Sequence, residues 1–166
     1  MIICNRMNFE DANPADEILP GIWLGSIKAA TNPHWLSEHN IACVFNCTKD
    51  IALHPSVARK YRIPVDDNLK EEEIRNLELW SYEIIVKMLN EYKLGQPILV
   101  HCAAGMQRSA ACVAIFLIVV KHMKPSDAIE YIRSKRPIAF RPAVNFRKAI
   151  DGFYESYIKN YNNLYI

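Results

Sequence analysis

The sequence predicts a single α/β domain in which a central, mostly parallel sheet of about four or five strands is flanked by helices. Short apolar stretches typical of buried strands alternate with helical stretches, and helices alone follow them. The length of 166 residues, with 51% hydrophobic and 23% charged residues, suits one globular domain. Residues 1–17 are polar without a clear period, which predicts an N-terminal arm, and residues 18–166 form the domain.

For the first half of the domain, the sequence predicts three strands and one short helix. Residues 18–25 form a first strand that a Pro-Gly pair interrupts. Asparagine followed by proline is a favourable helix start, because the asparagine side chain caps the first turn and proline fits within it. A helix is therefore predicted over residues 33–40. Residues 41–47 and 61–65 are short runs of strand-forming apolar side chains and predict two further strands.

For the second half of the domain, the sequence predicts a helix, then a strand, and after that strand only helices. Apolar residues recur at helical spacing over residues 70–92. Residues 97–100 form a short buried strand, and residues 110–120 are almost wholly apolar, which places that helix at the centre of the domain. Pro125 begins the next helix, and the last helix carries apolar residues at intervals of four, three and four between positions 146 and 157.

Charge and cysteine content argue against several classes of protein. The net charge of +2 is too small to indicate a nucleic-acid or membrane partner, although residues 66–83 are mainly acidic and residues 121–148 mainly basic. Five cysteines without CxxC pairs favour a reducing compartment, so we expect a cytoplasmic protein, with the nucleus as the alternative. The apolar stretches are too short for a signal peptide or a membrane span, so we expect no membrane association.

The segment from His101 to Ser109 joins a predicted strand to the apolar helix and suits the binding of a phosphate dianion. A helix N-terminus offers unpaired N–H groups and the positive end of its dipole. Small residues let the backbone curl so that N–H groups converge on one anion, and the planar guanidinium of Arg108 can bind two phosphate oxygens. The same field lowers the pKa of a thiol, so Cys102 is predicted to be an ionised nucleophile. The predicted substrate-binding residues are Ala103, Ala104, Gly105, Met106, Gln107 and Arg108.

The sequence His-Cys-Ala-Ala-Gly-Met-Gln-Arg-Ser of this segment resembles the signature of the protein tyrosine phosphatase superfamily, and the chain is similar to its dual-specificity branch. Further matches lie at residues 18–26, 44–48, 63–67 and 136–137. The resemblance implies a dual-specificity phosphatase fold. It also implies hydrolysis of phosphotyrosine and of phosphoserine or phosphothreonine through a phosphocysteine on Cys102. Phosphorylated proteins are the expected partners, and we expect no cofactor and no metal.

The resemblance also implies roles for individual residues. A general acid must protonate the leaving oxygen, and the resemblance places it after the strand at residues 61–65, where Asp67 is favoured and Asp66 is the alternative. Ser109 is expected to hydrogen-bond the sulfur and to help it leave in the second step. His101 is expected to hold the loop by hydrogen bonds rather than to act as a base, because the thiolate already exists.

Two expectations concern the surroundings of this loop. The family commonly has Arg-Pro-Asn where residues 141–143 of this chain read Arg-Pro-Ala. The asparagine that braces the active loop is therefore missing, and Asn46 is its candidate substitute. Cys47 is predicted to form a reversible disulfide with Cys102 that protects the nucleophile from over-oxidation, and the alternative is that Cys47 is a small buried hydrophobic residue.

Two other functions stay open. RNA 5′-triphosphatases use the same scaffold, and the basic residues at 121–148 favour that activity, but that subgroup tends to lack the acid candidate. A non-catalytic phosphate-binding module is disfavoured because Cys102, Arg108 and an aspartate are all present. Neutral side chains elsewhere in the loop favour phosphoproteins over phosphoinositides. A homodimer formed through residues 1–17 is the oligomer that the sequence leaves open.

Overall fold

The computed structural model describes residues 12–164, with side chains as far as residue 161. This part of the chain forms a five-stranded sheet and six helices, so the predicted α/β class is confirmed. The strands are β1 (Ala15–Leu19), β2 (Ile22–Gly25), β3 (Cys43–Asn46), β4 (Arg59–Arg62) and β5 (Ile98–His101). The helices are α1 (Ile27–Ala30), α2 (Pro33–Glu38), α3 (Glu71–Lys93), α4 (Arg108–Lys121), α5 (Pro125–Lys135) and α6 (Arg147–Leu164).

The sheet is mostly parallel and has the strand order β1-β2-β5-β3-β4. β1 runs antiparallel to β2, whereas the pairs β2–β5, β5–β3 and β3–β4 are parallel. His101, at the end of β5, is paired with Gly25 of β2 and with Asn46 of β3. The carboxyl ends of the four parallel strands therefore meet at one edge of the sheet, which is where ligands bind in open α/β sheets.

The first predicted strand, residues 18–25, is in fact a hairpin of two strands. Gly21 has a φ of 82°, and the Pro-Gly pair reverses the chain so that β1 and β2 pair antiparallel. β1 also begins at Ala15, inside the arm predicted for residues 1–17. Residues 1–11 of that arm, and with them most of the predicted homodimer contact, lie outside the described residues.

The strand predicted at residues 61–65 lies two residues earlier in the structure, as β4. Its side chains are half-buried and polar, because it forms the edge of the sheet and packs against α3. Arg59 Nε donates to Glu91 Oε2 at 2.6 Å, and the Tyr61 hydroxyl donates to Glu91 Oε1 at 2.8 Å. These contacts and the pairing with β3 fix the register of β4. The apolar pattern of the sequence alone does not show that register.

Helix α4 lies at the centre of the molecule, as its apolar sequence predicted. Every residue from Ser109 to Ile118 is buried, because a helix that is apolar on all sides finds no favourable contact with water. It packs against β5 and against helices α3, α5 and α6. A smaller apolar cluster on the other face of the sheet includes Trp35 and Leu36 of α2 together with Val44 and Leu99.

Within residues 12–164, no single helix has both the length and the apolar character needed to cross a membrane. Only α4 and α5 taken together meet that requirement, as a pair bent by 116°.

Candidate active site

The loop between β5 and α4 places a buried thiol at the carboxyl edge of the sheet. Cys102 is only 2% exposed, and its Sγ accepts a hydrogen bond from the Ser109 hydroxyl at 3.1 Å. Burial opposes ionisation, but hydrogen bonds from Ser109 and the charge of Arg108 outweigh it, so the pKa of Cys102 is lowered. The backbone N–H of Gly105 contributes in the same direction. The site therefore favours a thiolate, which is the nucleophilic form of cysteine.

The backbone of this loop directs its N–H groups toward the sulfur side of the site. The four successive carbonyls of residues 103–106 all accept hydrogen bonds from outside the loop. The donors are Ile27 N–H to Ala103, Arg136 to Ala104 and Gly105, and Phe140 N–H to Met106. Because the C=O and the N–H of one planar trans peptide point in opposite directions, the N–H groups of the peptides that follow these carbonyls point inward. Converging N–H groups of this kind bind anions.

Gly105 is required in this loop for two separate reasons. Its φ of 66° lies in the left-handed region, which side-chain-bearing residues rarely adopt. A Cβ atom at this position would lie 2.4 Å from the carbonyl oxygen of Gly25, at the end of β2. The loop is therefore seated directly against the neighbouring strand, and a methyl group would displace it.

Arg108, the first residue of α4, is held in position but keeps one donor unused. Its Nη1 donates to the carbonyl oxygen of Val65 at 3.2 Å. Its buried Nε has no hydrogen-bond partner among the described residues. A buried unsatisfied donor is costly, and an anion bound in the loop would satisfy it. Arg108 lines a cleft of about 400 Å³; the other lining residues are Thr48, Asp50, Ile51, Asp66, Asp67, Asn68 and Ala103.

The structure assigns different environments to the two acid candidates. The Asp66 carboxylate lies 3.0 Å from Lys49 Nζ, and its backbone N–H donates to Glu73 Oε2 at 2.8 Å. Asp66 therefore fastens its loop to α3. Asp67 is exposed, and its Oδ1 accepts a hydrogen bond from Asn145 Nδ2 at 2.9 Å. Both residues line the cleft, and Asp67 is the more exposed of the two.

His101 is buried beneath the loop at the end of β5. Its Nδ1 lies 3.2 Å from the carbonyl oxygen of Cys102. Burial lowers the pKa of His101 to about 4, and the charges of Arg62 and Arg108 act in the same direction. A neutral imidazole in this position can hold the loop by hydrogen bonding, which is the role expected of it.

The structure does not support Asn46 as a brace of the active loop. The Asn46 side chain donates to Ile51 O at 2.8 Å and accepts from the Thr48 hydroxyl at 2.6 Å and from Thr48 N–H at 3.1 Å. Its amide is thus used to close the turn that follows β3, one strand away from the loop. Among the described residues these are its side-chain partners, and the replacement of the missing family asparagine by Asn46 stays a prediction.

Arg136 and Gln107 brace the loop instead. Arg136 is 1% exposed; its Nε donates to Gly105 O at 2.9 Å, and its Nη1 donates to Asp16 Oδ2 at 2.7 Å. Gln107 Nε2 donates to the carbonyls of Arg141 and Ala143, at 3.1 and 2.7 Å. Sequence reasoning missed the role of both. For Arg136 the one signal was the match at residues 136–137, since a buried arginine within a basic stretch looks like a surface residue.

Cys47 follows β3 and is fully buried. Its Sγ lies 3.6 Å from the Sγ of Cys112 in α4, so Cys112 is a close sulfur neighbour. Burial raises the pKa of Cys47 well above its ordinary value, and the hydrogen bond to Cys112 adds to this effect. Cys102 is close enough to act electrostatically on Cys47. The Cys47–Cys102 disulfide stays a prediction.

The sequence and the fold are both similar to phosphatases. Residues 22–156 match the family profile "Dual specificity phosphatase, catalytic domain". The chain is 28% identical over 134 residues to "Dual specificity protein phosphatase 1" of Arabidopsis thaliana, covering 79% of this chain and 65% of that protein. It is 32% identical over 123 residues to "Dual specificity protein phosphatase 4" of Gallus gallus, covering 74% and 32%. This chain thus spans less than two thirds of either relative.

The fold is also similar to that of a solved structure. The structure aligns with the crystal structure of human DUSP28 at a TM-score of 0.76 and 22% sequence identity, covering 88% of this chain and 96% of that chain. At this level of identity the likeness concerns the fold.

Proposed function

Because the chain belongs to the dual-specificity phosphatase family, we propose that it is a cysteine-dependent protein phosphatase that hydrolyses phosphotyrosine and phosphoserine or phosphothreonine. One observation carries the proposal: a thiol with a lowered pKa and a half-buried arginine, whose buried Nε has no hydrogen-bond partner among the described residues, occupy the same anion-binding loop. Asp67 lies in the same cleft, where a leaving oxygen would need a proton.

The first step is attack of Cys102 Sγ on phosphorus. An S–P bond forms while the bond from phosphorus to the ester oxygen breaks, and the departing oxygen takes a proton from Asp67. Arg108 and the inward-facing N–H groups of the loop hold the phosphoryl oxygens as charge develops on them. These donors are fixed before substrate arrives, so little reorganisation is needed in the transition state.

In the second step, water attacks phosphorus and gives its proton to Asp67. The S–P bond breaks, and the electron pair returns to Cys102 as a thiolate. The Ser109 hydroxyl, which donates to Sγ at 3.1 Å, stabilises that leaving thiolate. Inorganic phosphate is released, and Asp67 is protonated again for the next cycle.

The walls of the cleft support a phosphoprotein substrate. Besides Asp67, which carries a proton when substrate binds, the carboxylates of Asp50 and Asp66 line it, and they would repel the additional phosphates of an RNA 5′-triphosphate or a phosphoinositide. Four of the eight basic residues at positions 121–148, the stretch that favoured RNA, form ion pairs within the described part of the protein. Arg136 is buried with Asp16, and Arg147 pairs with Asp151.

Phosphate release from phosphotyrosine and phosphothreonine peptides tests the proposal. We expect the wild type to hydrolyse both, Cys102→Ser to abolish release, and Cys4→Ser, a cysteine change outside the described residues, to leave it unchanged. Acid quenching during turnover is expected to trap a phosphorylated wild-type enzyme, with the label on Cys102. An inert wild type, or equal activity of Cys102→Ser, refutes the proposal. Faster phosphate release from triphosphate-ended RNA than from either peptide favours the RNA activity.

A further inference from the structure

Asn145 lies immediately before Phe146, in the segment that joins α5 to α6, and its backbone is tied to the phosphate-binding loop. Its N–H donates to Gln107 Oε1 at 3.0 Å. The other end of the same Gln107 side chain donates to the carbonyls of Arg141 and Ala143. Gln107 directly precedes Arg108, so the position of Asn145 is fixed relative to the residues that would bind phosphate.

The side chain of Asn145 connects this fixed point to Asp67. Its Nδ2 donates to Asp67 Oδ1 at 2.9 Å, across 78 residues of sequence. An amide NH₂ group can only donate, so Oδ1 must remain an acceptor. The carbonyl oxygen of a protonated carboxyl group is a better acceptor than its hydroxyl oxygen, so this hydrogen bond favours the proton of Asp67 on Oδ2. One hydrogen bond thus fixes the orientation of the carboxyl group and favours one of its oxygens as the one that delivers the proton.

We propose that Asn145 is the positioning residue of the general acid, and that it acts on catalysis through Asp67. The inference rests on the proposed function, in which Asp67 protonates the leaving group. Asp67 is exposed, and in the described part of the chain Asn145 is the hydrogen-bond partner of its carboxylate. Without Asn145 the side chain would sample several rotamers, and few of them would present Oδ2 to the ester oxygen.

Aryl phosphates with different leaving groups separate this role from a structural one. Phenol is a weak acid and needs a proton to leave, whereas a difluorinated hydroxycoumarin leaves as an anion. The comparison uses kcat/KM, which reports the first step and excludes hydrolysis of the phosphoenzyme, where Asp67 acts in the same way for both substrates. We expect Asn145→Ala to lower kcat/KM about 10-fold on phenyl phosphate, part of the roughly 10²- to 10⁴-fold that a general acid contributes. On the coumarin phosphate we expect less than about a twofold change, because little acid catalysis remains to be lost. Equal losses on both substrates overturn the inference.

Two further variants test whether the loss of activity comes from a folding defect. Asn145→Leu keeps a side chain that branches at Cγ but lacks the NH₂ donor, and we expect the same selective loss. Asn90→Ala is the matched control, because Asn90 is exposed about 28 Å along α3 from Glu71. The control is expected to behave as wild type on both substrates.

The Asp67→Asn background distinguishes failure of this inference from failure of the proposed function. If Asp67→Asn leaves phenyl phosphate hydrolysis unchanged, the acid assignment itself is wrong. If Asp67→Asn is slow and Asn145→Ala is not, only the present inference fails. Adding Asn145→Ala to Asp67→Asn is expected to cause no further loss, because the acid is already absent. A further 10-fold loss in that double variant shows that Asn145 acts by another route and overturns the inference.

Discussion

Replacing Arg136 by methionine tests whether one buried guanidinium maintains the phosphate-binding loop. Methionine fills a similar volume but leaves the Asp16 carboxylate and the carbonyls of Ala104 and Gly105 without their donor. Breaking a buried ion pair by removing one partner costs about 3–5 kcal/mol. Arg136 is 1% exposed and Asp16 is largely buried at 17% exposed, so solvent screens the pair weakly.

Urea unfolding measures this loss directly. We expect the free energy of unfolding of Arg136→Met to fall by about 3–5 kcal/mol, and that of Arg75→Met, an exposed arginine on α3, to change by less than about 0.5 kcal/mol. We expect a cycle with Asp16→Ala to give a coupling energy of about 1–3 kcal/mol between the two side chains.

Activity measured where Arg136→Met is still folded completes the test. With the loop carbonyls released, the N–H groups no longer converge, and we expect kcat/KM to fall about 10-fold or more. The reasoning is refuted if stability falls by less than about 1 kcal/mol. It is also refuted if stability falls as expected while kcat/KM stays at the wild-type value, because Arg136 would then stabilise the fold without shaping the loop.

Two further predictions concern the sulfur atoms. Ser109→Ala removes a donor that lowers the pKa of Cys102, so the pH at which half of the thiol reacts with iodoacetamide should move upward, and phosphoenzyme should accumulate because the thiolate leaves less readily. An unchanged alkylation profile contradicts that role. Peroxide should convert Cys102 to a sulfenic acid that the Cys47 thiol captures with loss of water, giving a Cys47–Cys102 disulfide visible by mass spectrometry. Cys102 recovered only as sulfinic or sulfonic acid contradicts this.

Features that depend on neighbouring residues could be predicted from the sequence. The all-apolar stretch before Lys121 indicated a buried central helix, and the residues from His101 to Ser109 indicated a strand, an anion-binding loop and a helix start. Each of these follows from local geometry and from residue types only a few positions apart. The family resemblance, rather than local geometry, placed the hydroxyl of Ser109 close to the sulfur of Cys102, where the structure has it.

The contacts that brace the site could not be predicted, because they join distant parts of the chain. Arg136 reaches Asp16 across 120 residues, and Asn145 reaches Asp67 across 78. Whether an arginine is buried or an asparagine meets a carboxylate depends on how α5, α6 and the hairpin pack on the sheet. Asn46 differs from these two, because its side chain closes a local turn with Thr48 and Ile51.

The hydrogen bonds of Arg136 also determine how short an active fragment of this protein can be. Its Nη1 donates to Asn13 O at 3.0 Å as well as to Asp16, so the segment that leads into β1 supports the phosphate-binding loop from the far side. The family match begins only at residue 22. A chain trimmed to that boundary would keep Cys102 and Arg108 and lose the anchor of the guanidinium that shapes the loop. We therefore expect an active fragment to need a start at or before Asn13.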